Sequence, residues 1–225
     1  MGGKKLYKKL HDRIKDLDLG IGRDKFFDLL RSNDLLVKRR RKYVVTTQSF
    51  NRFFTHKDHY NGKRWSRPNQ AWVSDITYLR AGRDFQYLFL ITDAYSRKIV
   101  GWHLAQSMHT KWAIKALQMA LKNCKKTEGL IHHSDRGFQY CSPQYTQILT
   151  GLGAIPSMGQ AGYCYDNAKA ERVNGILKDE YLLDSHFTSP KQAYKATLEA
   201  IYLYNNERPH WSINLQIPGI VHEAA

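Results

Sequence analysis

Ala71–Leu79 reads A-W-V-S-D-I-T-Y-L, a β-rich apolar stretch with a carboxylate, Asp75, near its centre. Ala81-Gly82-Arg83-Asp84 follows with the residue types of a tight turn. Phe85–Ser96 (F-Q-Y-L-F-L-I-T-D-A-Y-S) and Lys98–Ala105 (K-I-V-G-W-H-L-A) predict two further strands. Their connections are too short for crossover helices, so the three strands form an antiparallel meander. The texture then alternates. Thr110 is placed to cap a helix, K-W-A-I-K-A-L-Q-M-A-L-K-N-C, with Trp112, Ile114, Leu117, Ala120 and Leu121 as its core face. Leu130–Asp135 (L-I-H-H-S-D) reads as a fourth strand ending on an acid. Ser142-Pro143 opens another helix, and Ala154–Met158 is a short fifth strand. Helices near Asn167–Leu182 and Pro190–Asn205 close the series; Ser189-Pro190 is a good start for the second, and Ala193, Ala196, Ala200, Ile201 and Tyr204 suit core packing.

Three antiparallel strands followed by alternating helix and strand predict an α/β fold: a ribonuclease-H-like mixed five-stranded sheet with flanking helices. A small basic helical segment precedes it. Residues 4–19 suit a short helix ended by Gly20 and Gly22. Asp24–Leu36 suits a second, with Phe26, Phe27, Leu29, Leu30 and Leu35 as its apolar stripe. Lys38, Arg39, Arg40, Arg41 and Lys42 then form an unbroken basic run. Residues 1–70 hold 19 Lys and Arg against 7 Asp and Glu, residues 71–225 hold 16 against 13, and the whole chain carries +15. A basic arm before a nearly neutral domain marks a polyanion binder, and the run from Lys38 to Lys42 is the candidate DNA-phosphate contact.

Several classes are excluded. No run approaches 18 apolar residues, so no membrane span is expected. The basic start lacks an apolar h-region, which argues against a secretory signal. Cys124, Cys141 and Cys164 contain no C-x-x-C pair, so neither a disulfide framework nor a cysteine zinc site is expected, and a reducing, cytoplasmic compartment is.

Three acids stand in suggestive places: Asp75 inside the first strand, Asp135 at the end of the fourth, and Glu171 on the late helix D-N-A-K-A-E-R-V-N-G-I-L-K. A carboxylate within an apolar strand carries a desolvation penalty unless a cation compensates it. Hard divalent ions want oxygen ligands, and three carboxylates suffice for two Mg²⁺ when water and phosphate complete the shells. Mn²⁺ is an expected substitute. Asp75, Asp135 and Glu171 are therefore the candidate metal-ligating and catalytic residues. His133 reads either as a metal ligand or proton shuttle, or as a packed, hydrogen-bonded core histidine; the second is favoured. Asn174 and Lys178, at i+3 and i+7 from Glu171, share its helix face. Lys178 is a candidate phosphate contact, with a solvated lysine as the alternative.

W-V-S-D-I-T-Y, H-S-D-R-G-F-Q-Y, Y-D-N-A-K-A-E-R-V-N-G-I-L-K-D-E and Y-N-N-E-R-P-H stand in this order over residues 70–210. Together they closely resemble the catalytic half of insertion-sequence-3 family transposases, relatives of retroviral integrases. The 59 residues between Asp75 and Asp135, and the 35 between Asp135 and Glu171, match that superfamily's habit. The resemblance implies a DDE triad of Asp75, Asp135 and Glu171. It implies Mg²⁺-dependent strand cleavage at element ends with water as nucleophile, then strand transfer with a 3′-hydroxyl. It also implies that His133, Ser134, Gly137, Gln139 and Tyr140 shape the metal pocket, and that Asn167 caps the Glu171 helix. G-Q-A-G-Y-C-Y, from Gly159, resembles the family's mobile loop, and residues 22–42 its helix-turn-helix-like segment. The implied partners are DNA, as element ends and target, an upstream-frame DNA-binding protein or fusion with it, and further copies of the chain on DNA, in a bacterial nucleoid setting. The C-terminal segment departs from the family pattern, with Ile217 where a threonine is usual.

The expected organisation is a basic helix-turn-helix-like segment at 1–45, a basic linker at 46–69, an integrase-type catalytic core at 70–210 and a tail at 211–225. Two rivals stand beside a polynucleotidyl transferase. One is a DNA-binding remnant or regulator without catalysis, which the intact set of acids disfavours. The other is a ribonuclease H proper, which the 35-residue interval and the D-N-A-x-x-E helix disfavour.

Overall fold

β1 (Ala71–Ala81) runs through the middle of the sheet and organises it. The computed structural model describes residues 2–37, 55–159 and 168–224; Asn167 and the basic run from Lys38 to Lys42 lie outside them. β2 (Asp84–Asp93) returns antiparallel from the two-residue turn Gly82-Arg83, in register from Trp72↔Asp93 to Ala81↔Asp84. Gly82 takes φ +64°, the left-handed region where a glycine is unstrained. β3 (Ile99–Ala105) completes the meander on β2. β4 (Ile131–Ser134) pairs parallel with β1 and β5 (Ile155–Met158) parallel with β4, giving the order β3-β2-β1-β4-β5. A two-residue strand, β6 (His186–Phe187), extends the sheet by pairing with Arg80 and Ala81. Two residues are too few to show a period-2 pattern, which is why the sequence predicts five strands.

Strand alternation sends successive β1 side chains to opposite faces. Trp72 and Ile76 join the cluster under α3 (Thr110–Lys122), α4 (Phe138–Cys141) and α5 (Pro143–Gly151). Val73 and Leu79 face α6 (Ala168–Glu180) and α7 (Pro190–Asn206). The amino-terminal helices α1 (Gly3–Asp16) and α2 (Arg23–Ser32) pack on each other. A 3₁₀ turn at Trp211–Ile213 and α8 (Pro218–Glu223) follow α7.

The start of α3 differs from expectation by one residue. His109 holds the cap position, and Thr110 is the first helical residue. The buried face is Ala113, Ala116, Leu117 and Ala120, while Trp112, Ile114 and Leu121 pack at its margin. Small residues win because the helix is pressed onto β3. A Cβ on Gly101 would lie 2.2 Å from the Ala116 carbonyl oxygen and 2.8 Å from Ala120 Cβ. Gly101→Ala is therefore expected to destabilise the fold by about 2–3 kcal/mol, since overpacking against backbone is relieved only by shifting the whole helix. Thermal unfolding of the variant checks this; an unchanged midpoint would mean that α3 is free to yield.

Residues 55–69, expected as linker, pack on the sheet. Tyr60 is buried with Ala71, Val73, Ala94, Ile131 and Ala170, and Asp58 Oδ1 accepts from the Tyr60 and Asn61 N–H groups at 2.8 and 3.0 Å. The segment's basic composition hides this single buried ring. The tail docks too. Ser212 Oγ accepts from Arg97 Nε at 2.9 Å, Lys98 Nζ pairs with Glu223 at 3.0 Å, and His222 Nδ1 lies 2.9 Å from Ser96 Oγ. Ile217 sits at the cap of α8 and leaves this packing intact.

Candidate active site

Parallel pairing of β1 with β4 in the register Ser74↔Ser134 brings the next residues of each, Asp75 and Asp135, to neighbouring positions. β1 continues past Asp75, whereas β4 ends just before Asp135. Asp75 Oδ1 accepts from the Ile76 N–H at 2.9 Å, and Oδ2 from Asn174 Nδ2 at 2.7 Å. Asn174 is buried in α6, so this bond ties the helix to the centre of β1. Asp135 Oδ1 accepts from the Gly137 N–H at 3.0 Å. A Cβ at Gly137 would stand 3.0 Å from that oxygen, so the close approach of backbone and carboxylate favours glycine. Glu171 lies in the first turn of α6 and is exposed.

The electrostatics link the three. Burial pushes the Asp75 carboxyl up to about 7; the Asp135 charge and, more weakly, that of Glu171 add to this, against the two hydrogen bonds. Asp135 is exposed to solvent, yet the protein around it removes enough hydration to raise its pKa, with the Gly137 N–H opposing. Among the described residues no three His, Cys, Asp or Glu side chains converge as a ligand group for a metal. The structure thus brings Asp75 and Asp135 together, while Glu171 acts on Asp75 through charge.

The raised Asp75 pKa has a stability consequence with a definite sign. The folded value exceeds the ordinary 3.8, so ionising Asp75 opposes folding. The penalty is absent below the unfolded value, grows as pH rises between the two, and is complete above about 7. Without divalent ions, Asp75→Asn is expected to melt higher than the parent at pH 8, by roughly 3–8 °C, with the gap closing towards pH 4. Melting curves at the two pH values check this; a lower midpoint for the variant at pH 8 would contradict the burial argument.

His133 is packed into the core. It is fully buried, its Nδ1 lies 2.9 Å from Ser157 Oγ, and its ring stacks on Tyr60. His132 faces the other way, its Nε2 2.9 Å from Ser74 Oγ and 3.0 Å from Tyr145 Oη. Burial holds His132 neutral, its pKa lowered to about 3. Gln139 Nε2 donates to the Met108 carbonyl at 2.9 Å, fixing α4 to the loop before α3. Lys178 places its ammonium 4.4 Å from the Tyr78 ring centroid. Lys169 lies likewise over Tyr60 at 4.8 Å, its pKa lowered to about 8 by burial and by Arg97. Sequence reasoning missed Asp58, Tyr60 and Ser157 behind the site, because nothing local marks a contact 73 residues away.

Comparison with known proteins agrees with this architecture. The integrase core domain family matches residues 66–164, and a second family of the same description matches 152–218. The 31 kDa protein of insertion element IS600 from Shigella sonnei is 35% identical over 205 residues, covering 90% of this chain and 75% of that protein. The transposase InsF of insertion sequence IS3A from Escherichia coli K12 is 41% identical over 133 residues, covering 59% of this chain. The chain spans 46% of that relative's length. Among solved structures, the HTLV-2 integrase catalytic core domain in complex with magnesium superposes with a TM-score of 0.55 at 20% identity, over 71% of this chain and 99% of that one. That likeness establishes a shared fold, the ribonuclease-H-like mixed sheet.

Proposed function

The chain belongs to the insertion-sequence-3 family of transposases, and from that membership and the site we propose that it is a polynucleotidyl transferase acting on DNA. The reaction is cleavage of a strand at the ends of an insertion element, followed by transfer of the freed 3′-hydroxyl to a target strand. The observation that carries this reading is the parallel pairing of β1 with β4, which sets Asp75 beside the end of β4 where Asp135 follows, with the Glu171 helix tied to Asp75 by the Asn174–Asp75 hydrogen bond.

The donor set suits hard cations. All three acids offer carboxylate oxygens, and the raised Asp75 pKa reflects negative charge crowded where hydration is poor, which a divalent ion relieves. Asn174 Oδ1 is a further buried oxygen with no hydrogen-bond partner among the described residues. Asp75, Asp135 and Glu171 would hold two Mg²⁺ ions, or Mn²⁺ in their place. When bound, such ions activate an attacking hydroxyl and stabilise a leaving oxygen. The protein's own groups do the positioning. Asn174 and the Ile76 N–H hold the Asp75 carboxylate in one orientation, and the Gly137 N–H does so for Asp135. Lys178, seven residues beyond Glu171, supplies a cation for a strand phosphate. The basic run from Lys38 to Lys42 adds sequence-independent affinity for duplex DNA. The working form is an assembly of copies on paired ends, joined to an upstream-frame DNA-binding protein, in the bacterial cytoplasm. Among the described residues no helix is long and apolar enough to cross a membrane.

Incubation of the chain with labelled element-end duplex and a target plasmid in Mg²⁺, with and without the upstream-frame protein, tests this. Joined product is expected. Cutting of an RNA–DNA hybrid but not of duplex DNA would make the protein a ribonuclease H. Binding with no cutting in Mg²⁺ or Mn²⁺ would make it a regulator.

A further inference from the structure

Tyr60 touches both elements that carry the acids outside β1. Its ring stacks on His133 with centroids 4.6 Å apart and planes 24° apart, and His133 stands two residues before Asp135. On the same ring lies the Lys169 ammonium, 4.8 Å from the centroid, and Lys169 stands two residues before Glu171. Trp65 makes a third layer at 5.6 Å. The turn that presents Tyr60 is anchored underneath. The His59 N–H donates to Ser157 Oγ at 2.8 Å, and the same oxygen lies 2.9 Å from His133 Nδ1. Asp58 Oδ1 lies 3.8 Å from that nitrogen while capping the turn. The segment is thus fixed to β4 and β5 before it reaches α6.

The first turn of a helix is its weakest, since its leading N–H groups have no partners within the helix. α6 has Glu171 there. Asn174 ties the second turn to Asp75, but the first turn needs its own support. An ammonium over an aromatic face supplies this with a preferred direction as well as a distance. Ala170, buried in the same cluster as Tyr60, adds an apolar contact.

We propose that Tyr60 is a positioning residue: through its ring the segment ahead of the core holds the first turn of α6, and with it Glu171, in place against the aspartates. The proposal rests on the function given above, and it deepens that reading by extending the catalytic unit upstream to residue 58.

The test uses the full chain and two variants that both lack the hydroxyl. Tyr60→Phe keeps the ring, and Tyr60→Leu keeps an apolar side chain without it. Hydrogen exchange followed by mass spectrometry reads the helix, and nicking of a supercoiled plasmid in Mn²⁺ reads the chemistry. Amides of residues 170–174 are expected to exchange about tenfold faster or more in Tyr60→Leu, with β1 and β2 unchanged. Its kcat should fall by about 10–10²-fold, with KM for the plasmid within about twofold. Tyr60→Phe should match the parent in both. Parent-like behaviour of Tyr60→Leu, equal impairment of the two variants, or faster exchange spread over the whole sheet would each overturn the proposal. A parent chain that nicks nothing would remove the functional reading, and the exchange comparison would still decide what Tyr60 holds.

Discussion

Asp75→Asn, Asp135→Asn and Glu171→Gln are each expected to lower Mg²⁺-dependent strand cutting by about 10³-fold or more, while DNA binding at matched salt weakens by no more than about threefold. Each substitution keeps the shape of the side chain and removes one negative charge. Asp75 is the most constrained case. Its two oxygens already accept hydrogen bonds from the Ile76 N–H and Asn174 Nδ2, so an asparagine there keeps both contacts only if the Asn174 amide flips to accept through its unpartnered Oδ1. The Asp75→Asn variant should then be inactive and yet more stable at pH 8, two effects of opposite sign from one site. Affinity is a separate matter, because it comes from lysine and arginine contacts with phosphates, and removing an acid near the strand weakens no such contact. Single-turnover nicking and fluorescence anisotropy on one duplex separate the two. A variant that nicks in Mg²⁺ at the parent rate would take its residue out of the site. Loss of binding in all three would show that the acids hold the fold rather than the reaction.

The places of Asp75 inside β1 and of Asp135 at the end of β4 were legible in the sequence because the local signal is strong. An aspartate among Trp72, Val73, Ile76 and Tyr78 is costly in any strand, and the register that brings it beside Asp135 follows once both strands are parallel neighbours. The meander was equally plain, since Gly82 marks its turn and the apolar runs on either side match in length. Ser189 does cap α7, accepting from the Gln192 N–H at 3.2 Å. What escaped was short or distant. α4 is a single turn and β6 two residues, below any period. Tyr60 reads as one aromatic in a basic stretch, and its burial is decided by His133 and Lys169, far along the chain. His109 rather than Thr110 precedes α3 because helix α3 is set by its fit to Gly101, and a hydroxyl one position on does not move it. The pair of Glu180 and Arg208 lay in two of the quoted motifs without any sign that the residues meet.

That pair carries the second large expectation. Arg208 is fully buried, and it grips Glu180 with two bonds, Nε to Oε2 at 2.7 Å and Nη2 to Oε1 at 2.8 Å. It joins the last residue of α6 to the chain just past α7. Burial alone would raise the Glu180 pKa, but the hydrogen bonds and charge of Arg208 outweigh it and hold the carboxyl below its ordinary value. Lys5 of α1 is buried nearby, its pKa lowered to about 8 by burial first and by Arg208 next, with Glu180 opposing. Arg208→Met removes the cation that makes both of these bonds and leaves the Glu180 carboxylate, half-buried, with only weaker charge partners such as Lys5. Breaking a buried pair from one side costs about 3–5 kcal/mol, which for a chain of this size lowers the melting point by roughly 10 °C. The sign of the pH dependence follows from the depressed folded pKa. The parent holds this stability above the unfolded value of 4.5 and loses it as pH falls through the folded one. The parent's advantage should therefore be full at pH 7 and shrink below about pH 4.5, where Glu180 in the variant is protonated and needs no partner. Replacing both, as Glu180→Leu with Arg208→Met, should recover most of the loss, since an apolar pair of similar volume has no charge to satisfy. Denaturant curves of the two single variants and the double, at pH 7 and pH 4, form the cycle. A single-variant loss under about 1 kcal/mol at pH 7, or a double variant as unstable as the sum of the singles, would mean that solvent already serves Glu180 and that α6 and α7 are held by their apolar contacts alone.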